Sequence, residues 1–400
     1  MDALEGITVL DFTSHIAGPY ATKLMADLGA RVVKVERPGG DVSRGLGPFR
    51  GETPGIERSG TYQFLNTNKE SIVLDLKRPE AREVVGRLTA MADLVVMSFP
   101  PAVARRLGLG YDEIKAWKDV PVVRITNFGQ AGPYRDYRLS DTVLYAMGAE
   151  MWSHGTLDRE PLKIGGTAAL LQCGAMAAVA ALGALTAYEV HGIGQAVDLP
   201  LFDTQINCVD RRSSAILAYR FSGRVNARPA ASGAGLAGGI YPVADGYVEV
   251  TASAGNYWAR FAAMIGDPVL TSPEWNTPVK QADPAAREQA DAIVYPWMLS
   301  RTRMEVWEAA RKEHALVAPL LTGEDIFHDP VFRERGLWTE VEHATLGTFP
   351  MLGRPYVLSE TPWRIRRPAP MLGEHTRPLL SEAGFDGGTA ARLLAEGVVS

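Results

Sequence analysis

Cysteine is scarce. Two in 400 residues cannot build a disulfide framework, and neither lies among histidines at a metal-binding spacing. Neither sign of charge dominates: 41 Lys and Arg against 46 Asp and Glu leave a formal charge of −5. The charges are scattered, with no basic run, acidic tail or low-complexity tract. That excludes nucleic acid and an anionic membrane surface as partners on charge grounds. The first residues, Met1 to Gly6, lack the basic and apolar regions of a secretory signal. The expectation is a reduced, soluble, cytoplasmic protein.

Nucleotide-binding fingerprints are missing as well. The first β-to-α turn reads Thr13-Ser14-His15-Ile16-Ala17-Gly18-Pro19, without the glycines that let a backbone approach a pyrophosphate. Glu36 ends the second strand where a ribose-binding acid could stand, but alone it is a weak signal. There is no Walker A loop and no G-x-S-x-G elbow. None of the seven histidines pairs with another at i, i+4, which argues against a helical metal site.

What is present is apolar content of 46%, ordinary for two to three packed domains. Ile7–Phe12, a helix opened by Ala17-Gly18-Pro19 and closed at Gly29, and Ala30–Val35 form a β-α-β unit. The runs Ala92–Met97 and Val120–Thr126 follow, with a helix over Pro79–Met91. The alternation predicts a doubly wound α/β layer. Ala168–Tyr188 carries no charge over 21 residues, long enough to cross a bilayer. Its alanines and glycines, with Gln172 inside, read instead as a helix buried between protein layers.

Past residue 205 the pattern changes. Asn226–Gly239 reads as a linker or loop. Ile240–Val243 and Tyr247–Thr251 flank an Asp245-Gly246 turn, Thr302 and Glu305 form a capping box, and a last helix covers Thr389–Glu396. The expected organisation is 1–205, a linker over 206–225, a smaller α+β domain over 226–330, and a return segment over 331–400.

Strings spread along the chain then show a resemblance. They are Val9–Phe12, Ala17–Pro19, Leu28–Asp41, Asn66–Lys69, Gly192–Asp198, Ala244–Gly246 and Pro370–Thr376. In this order they resemble the class III CoA-transferases, the superfamily of formyl-CoA and carnitine CoA-transferases and α-methylacyl-CoA racemase. The resemblance implies a Rossmann-like large domain built from both chain ends, an inserted small domain, and two ring-shaped subunits interlocked as a dimer. It implies acyl-CoA and an organic acid as substrates, with no covalently bound cofactor. The CoA contacts it implies are Arg37, Leu74, Lys77, Phe99, Arg106 and Arg138; His15, on the first β-to-α turn at the carboxyl end of a strand where open sheets bind ligands, joins them as a candidate read from the residues. Arginine and lysine suit the phosphates, and Leu74 and Phe99 the adenine faces. From the residues alone, His15 is equally well a polar turn residue.

Family transferases carry an aspartate in a D-x-x-x-G pattern that attacks the thioester, giving a mixed anhydride and then an aspartyl-CoA thioester. Counting back from Gly174 puts that position at Leu170, which cannot form an anhydride. Ser140 stands where racemases of the superfamily carry a histidine acid/base, so α-proton transfer lacks its group. Asp141 and Cys173 are the remaining candidates, set against a helix cap and a packed thiol; Cys208 also reads as packing. Three functions follow. The chain is a transferase subunit working beside an aspartate-bearing paralogue, like one half of a benzylsuccinate-type enzyme. Otherwise it is a CoA-dependent lyase or hydratase on the same scaffold, or a CoA-binding protein without turnover.

Overall fold

The computed structural model describes residues 1–207, 210–225, 228, 236–252 and 256–400. Cys208 and most of the predicted loop over 226–239 lie outside them. The chain divides into two units. One comprises Met1–Trp152, Lys163–Val225 and Glu334–Ser400, and the other Ser153–Leu162 and Asn226–Arg333.

In the first unit the apolar runs become β1 (Thr8–Phe12), β2 (Arg31–Glu36), β3 (Lys69–Val73), β4 (Leu94–Met97), β5 (Val122–Thr126) and β6 (Ala196–Pro200). Between them lie α1 (Ala17–Asp27), α2 (Gly60–Leu65), α3 (Ala81–Met91), α4 (Pro101–Leu107), α5 (Tyr111–Trp117), α6 (Asp141–Met147), α7 (Glu150–Ser153) and α8 (Ala168–His191). Pro19 falls in the first turn of α1, where the backbone N–H groups lack intrahelical partners anyway. The strands pair in parallel in the order β3-β2-β1-β4-β5-β6, a doubly wound arrangement that reverses direction between β1 and β4.

Helices cover both faces, which is why a strand such as Leu94–Met97 is apolar throughout rather than alternating. On one face α1 and α8 join Val9, Val32, Leu94, Val123 and Leu199 in a core. On the other, α3 and α5 meet Leu10, Val33, Ile72 and Val95. The return segment completes that second face. After a hairpin of β10 (Trp338–His343) and β11 (Gly347–Leu352), helices α17 (Thr376–Glu382) and α18 (Gly387–Ala395) bury Leu379, Leu380 and Leu393 there. The α18 helix starts two residues earlier than the sequence suggests, because the Asp386 side chain accepts the N–H groups of Gly388 and Thr389.

The second unit pairs β7 (Gly238–Val243), β8 (Gly246–Thr251) and β9 (Val317–Pro319) antiparallel. Its helices are α11 (Asn256–Ile265), α12 (Pro278–Gln281), α13 (Pro284–Leu299), α14 (Arg303–Lys312) and α15 (Gly323–His328); α16 (Pro330–Glu334) follows. The capping box at Thr302 and Glu305 forms at the start of α14.

Four expectations need correction. Val243 pairs with Gly246, so the hairpin turn is Ala244-Asp245 and Gly246 already belongs to β8. The expected linker over 206–225 is largely helical, α9 (Leu201–Asn207) followed by α10 (Asp210–Ser222). No Gly or Pro interrupts it before Gly223, whose φ of 68° ends the helix. Residues 153–162 belong to the second unit, not the first. Finally, α8 is not enclosed on all sides. By length and composition it could cross a membrane, yet half of its most apolar stretch is buried against α1 and the sheet. Along its other side Val179 and Val190 are 60% and 66% exposed.

Candidate functional site

The carboxyl ends of the strands form a row of clefts at the point where strand order reverses, the place open α/β sheets offer a ligand. A small cleft of about 80 Å³ sits over the β1/β4 junction, lined by Phe12, Ser14, Arg37, Asp41 and Phe99. Phe12 and Phe99 face each other there with ring centroids 6.3 Å apart. To one side, sharing Leu76, lies a cleft of about 380 Å³ bearing Lys77, Arg78, Arg82, Arg106 and Trp117. To the other side, a cleft of about 360 Å³ is walled by Ser98, Asn127, Arg135, Tyr137 and Arg138. Exposed arginines and a lysine around half-buried aromatics suit an elongated ligand with several anionic groups and a flat ring.

Of the seven residues expected to hold CoA, the structure brings Arg37, Lys77, Phe99, Arg106 and Arg138 to these clefts. His15 is exposed on the β1–α1 turn beside the smallest of them. Leu74 is the exception. Its side chain is 1% exposed within the second core, so it offers no face to an adenine ring. Its backbone is engaged too, since Leu74 bridges to Val399 and its N–H donates to the Glu36 carbonyl. Sequence reasoning missed Arg78, Arg82, Arg135 and Trp117. Arg82 lies four residues beyond Arg78, with its guanidinium 5.3 Å from the Trp117 ring centroid. The sequence carries no local signal for this contact, since Arg78 precedes α3 and Trp117 ends α5.

Beneath the clefts is a buried ionic floor. Lys69 pairs with Asp11, Lys34 with Asp41, and Arg44 with Glu36. The Lys69 ammonium donates to Asp11, the Pro19 carbonyl, Thr22 and Asn66. Burial nevertheless outweighs the Asp11 carboxylate and pulls Lys69 down to about 8. For Asp11 and Asp41 burial works against ionisation, but the neighbouring lysines prevail and hold both carboxyls below their usual range. Glu36, considered as a ribose-binding acid, is spent on this floor. Its carboxylate takes Arg44 at 2.8 Å, Ser71 at 2.6 Å and the Asp41 N–H at 2.9 Å.

The first three amides of the β1–α1 turn are already engaged. Thr13 N–H donates to Asp11, Ser14 N–H to the Ser98 hydroxyl at 3.0 Å, and His15 N–H to Asp41 at 3.1 Å. These three amides are not available to a phosphate, whereas the exposed arginines and lysine of the clefts suit one.

Leu170 lies in the first turn of α8, 4% exposed, in an apolar core with Ile16, Leu144, Ala169 and Cys173. Gly174, one turn on, packs α8 closely against α1. A Cβ there would stand 2.5 Å from the Ala17 carbonyl oxygen, so position 170 belongs to the cleft end of the sheet. Cys173 is 1% exposed, with its sulfur 3.6 Å from the Leu201 carbonyl, packed as an apolar side chain and shielded from any substrate. Asp141 opens α6, but the cap is made by Ser140, whose hydroxyl accepts the Val143 N–H. The Asp141 carboxylate is engaged 2.6 Å from the Lys163 ammonium. Among the described residues no group of three or more His, Cys, Asp or Glu could hold a metal ion.

Comparison with known proteins agrees with this geometry. Residues 4–376 match the family described as CoA-transferase family III. The chain is 30% identical to the succinyl-CoA:(R)-benzylsuccinate CoA-transferase subunit BbsE of Thauera aromatica, covering 98% of this chain and 97% of that one. It is 32% identical to the succinate–glutarate CoA-transferase of Agrobacterium fabrum, over 95% of each. A solved CaiB/BaiF family protein from Brucella suis superposes with a TM-score of 0.81 at 26% identity, over 96% of this chain and 99% of that one. On these matches the chain belongs to CoA-transferase family III.

Proposed function

We propose that this chain is a subunit of an acyl-CoA:carboxylate CoA-transferase that holds CoA on the strand-end clefts but supplies no nucleophile of its own. The donor would be a thioester such as succinyl-CoA, and the acceptor an organic acid. The covalent carrier would come from an aspartate-bearing paralogous chain. The single observation that carries the reading is Leu170, buried among apolar side chains at the start of α8. Transfer through an anhydride needs a carboxylate, and neither Cys173 nor Asp141 is placed to replace it.

Two further observations support a partner chain. The exposed side of α8 carries Val179 and Val190, and α10 carries Ile216, Leu217, Tyr219 and Phe221, the last 86% exposed. Apolar surface of this kind is normally covered by another protein. The similar Thauera aromatica protein is itself named a subunit. An interlocked dimer of two unlike rings, located in the cytoplasm, accommodates both features.

Native mass spectrometry of the complex from its source cell tests the proposal. The expected result is the 43.3 kDa chain paired with a different chain of similar size. Pairing only with itself overturns the heteromeric part. Leu170→Asp tests the site itself, since it restores a carboxylate near the positive end of α8. Transferase activity in the purified variant is expected; a folded, CoA-binding but inactive variant would favour a lyase, hydratase or non-catalytic CoA-binding protein.

A further inference from the structure

His15 adopts φ of 77°, a left-handed conformation that costs a non-glycine residue about 1 kcal/mol or more and persists only where its surroundings enforce it. The surroundings here are specific. The Lys34 ammonium, wholly buried, donates to the Thr13 carbonyl at 3.0 Å and lies 2.7 Å from the Asp41 carboxylate. The other Asp41 oxygen accepts the His15 N–H at 3.1 Å, with the Ser43 N–H and hydroxyl at 2.7 and 2.8 Å. One ion pair therefore grips both ends of the Thr13–His15 turn. It also ties that turn to the loop after β2 that carries Arg37, and Asp41 itself lines the small cleft with Arg37 and Phe99.

We infer that Asp41, braced by Lys34, is a positioning residue for the ligand: it locks the β1–α1 turn in its strained form and so fixes His15 at the cleft edge. The inference rests on the proposed reading that CoA occupies these clefts. Asp41 acts through the turn. Lys34 donates to the turn's carbonyl and keeps the Asp41 carboxylate from needing solvent.

The test is calorimetric titration of the full chain with coenzyme A, comparing wild type, Asp41→Asn, His15→Gly and the double variant. Losing the charged acceptor is expected to weaken binding about tenfold in the wild-type background, the size of one charge-assisted hydrogen bond. Glycine adopts a positive φ without strain, so in the His15→Gly background the same change is expected to cost about twofold or less. A purely structural role would lower both backgrounds equally, and that result overturns the inference, as does unchanged affinity of Asp41→Asn. If Asp41→Asn does not accumulate as folded protein, Asp41→Glu keeps the charge beside Lys34 while displacing the carboxylate from the His15 N–H. Wild-type affinity in that variant overturns the inference; weakened affinity supports it. Absence of coenzyme A binding by the wild type overturns the CoA reading and this role together, whereas wild-type binding with an indifferent Asp41 removes the positioning role alone.

Discussion

The floor below the β1–α1 turn and the first turn of α8 lie at the same end of the sheet and are built from opposite chemistry. The floor buries three cations and three carboxylates within hydrogen-bond reach of one another. The start of α8 contributes Ala169, Leu170 and Cys173 to an apolar core. Buried charge is costly unless fully paired, so a floor of this kind is a specification rather than a source of stability. It holds loops in one geometry. An apolar helix start fits without such demands, but it cannot carry a covalent intermediate. On the proposed reading, holding a ligand and transforming it are separable in this fold: the floor serves the first, and Leu170 stands where the group for the second is expected.

The largest expected effect comes from breaking the floor. Lys69→Met leaves Asp11 with fewer partners in a dry site and should cost about 3–5 kcal/mol, read as a lowered denaturation midpoint with an unchanged slope. A loss below about 1 kcal/mol would mean that water reaches Asp11 and that the floor is not dry. A smaller effect is expected on the apolar side from Gly174→Ala. The added methyl meets the Ala17 carbonyl oxygen, and forcing the helices apart should cost about 1–3 kcal/mol. Gly183→Ala on the same helix meets nothing within 4 Å and should stabilise by up to about 1 kcal/mol. If both changes behave alike, helix propensity and not the α1 contact sets the effect.

The contrast is also sharpened through pH. Asp11, Glu36 and Asp41 have folded values held below 3.8 or 4.5, so on acidification the unfolded chain binds protons first. Their contribution is present above about pH 4.5 and is lost as pH falls further. Lys69 acts with the opposite sign of shift. Its folded value of about 8 lies below 10.5, so the cost of burying its charge is complete below pH 8 and shrinks as pH rises to about 10.5. Denaturation midpoints across these two ranges should both rise with pH. Lys69→Met should abolish the alkaline rise, and a retained rise would place its origin elsewhere.

Much of this architecture was legible from local signals. The β1-α1-β2 unit, the capping box at Thr302 and the strand-end position of His15 each rest on a few neighbouring residues. What escaped was what depends on distant parts of the chain. Leu74 looks like any strand-end leucine until Val399 is laid against it. Lys34 sits between valines in β2 and Lys69 opens β3 between Asn68 and Glu70, and nothing local announces that Asp41 and Asp11 will meet them. Residues 206–225 fall where the α/β alternation of the sequence stops, and their helix leaves Ile216, Leu217 and Phe221 on the surface. The candidate site divides in the same way. Arg37, Lys77, Arg106 and Arg138 were found by resemblance, while Arg82 and Trp117 come together only once α3 and α5 pack.

The return of the chain to the sheet has a consequence for the order of events during synthesis. The face of β1 and β2 that carries Leu10 and Val33 is covered partly by Leu379, Leu380 and Leu393. At a ribosomal rate of about 5–20 residues per second, the covering helices emerge on the order of tens of seconds after the strands. Throughout that interval a nascent sheet presents bare apolar surface while the whole inserted unit is being made. Contacts so distant in sequence also close slowly once the chain is free. Production of this protein is therefore expected to depend on holding chaperones far more than its final burial suggests, and to gain from slow, cool expression.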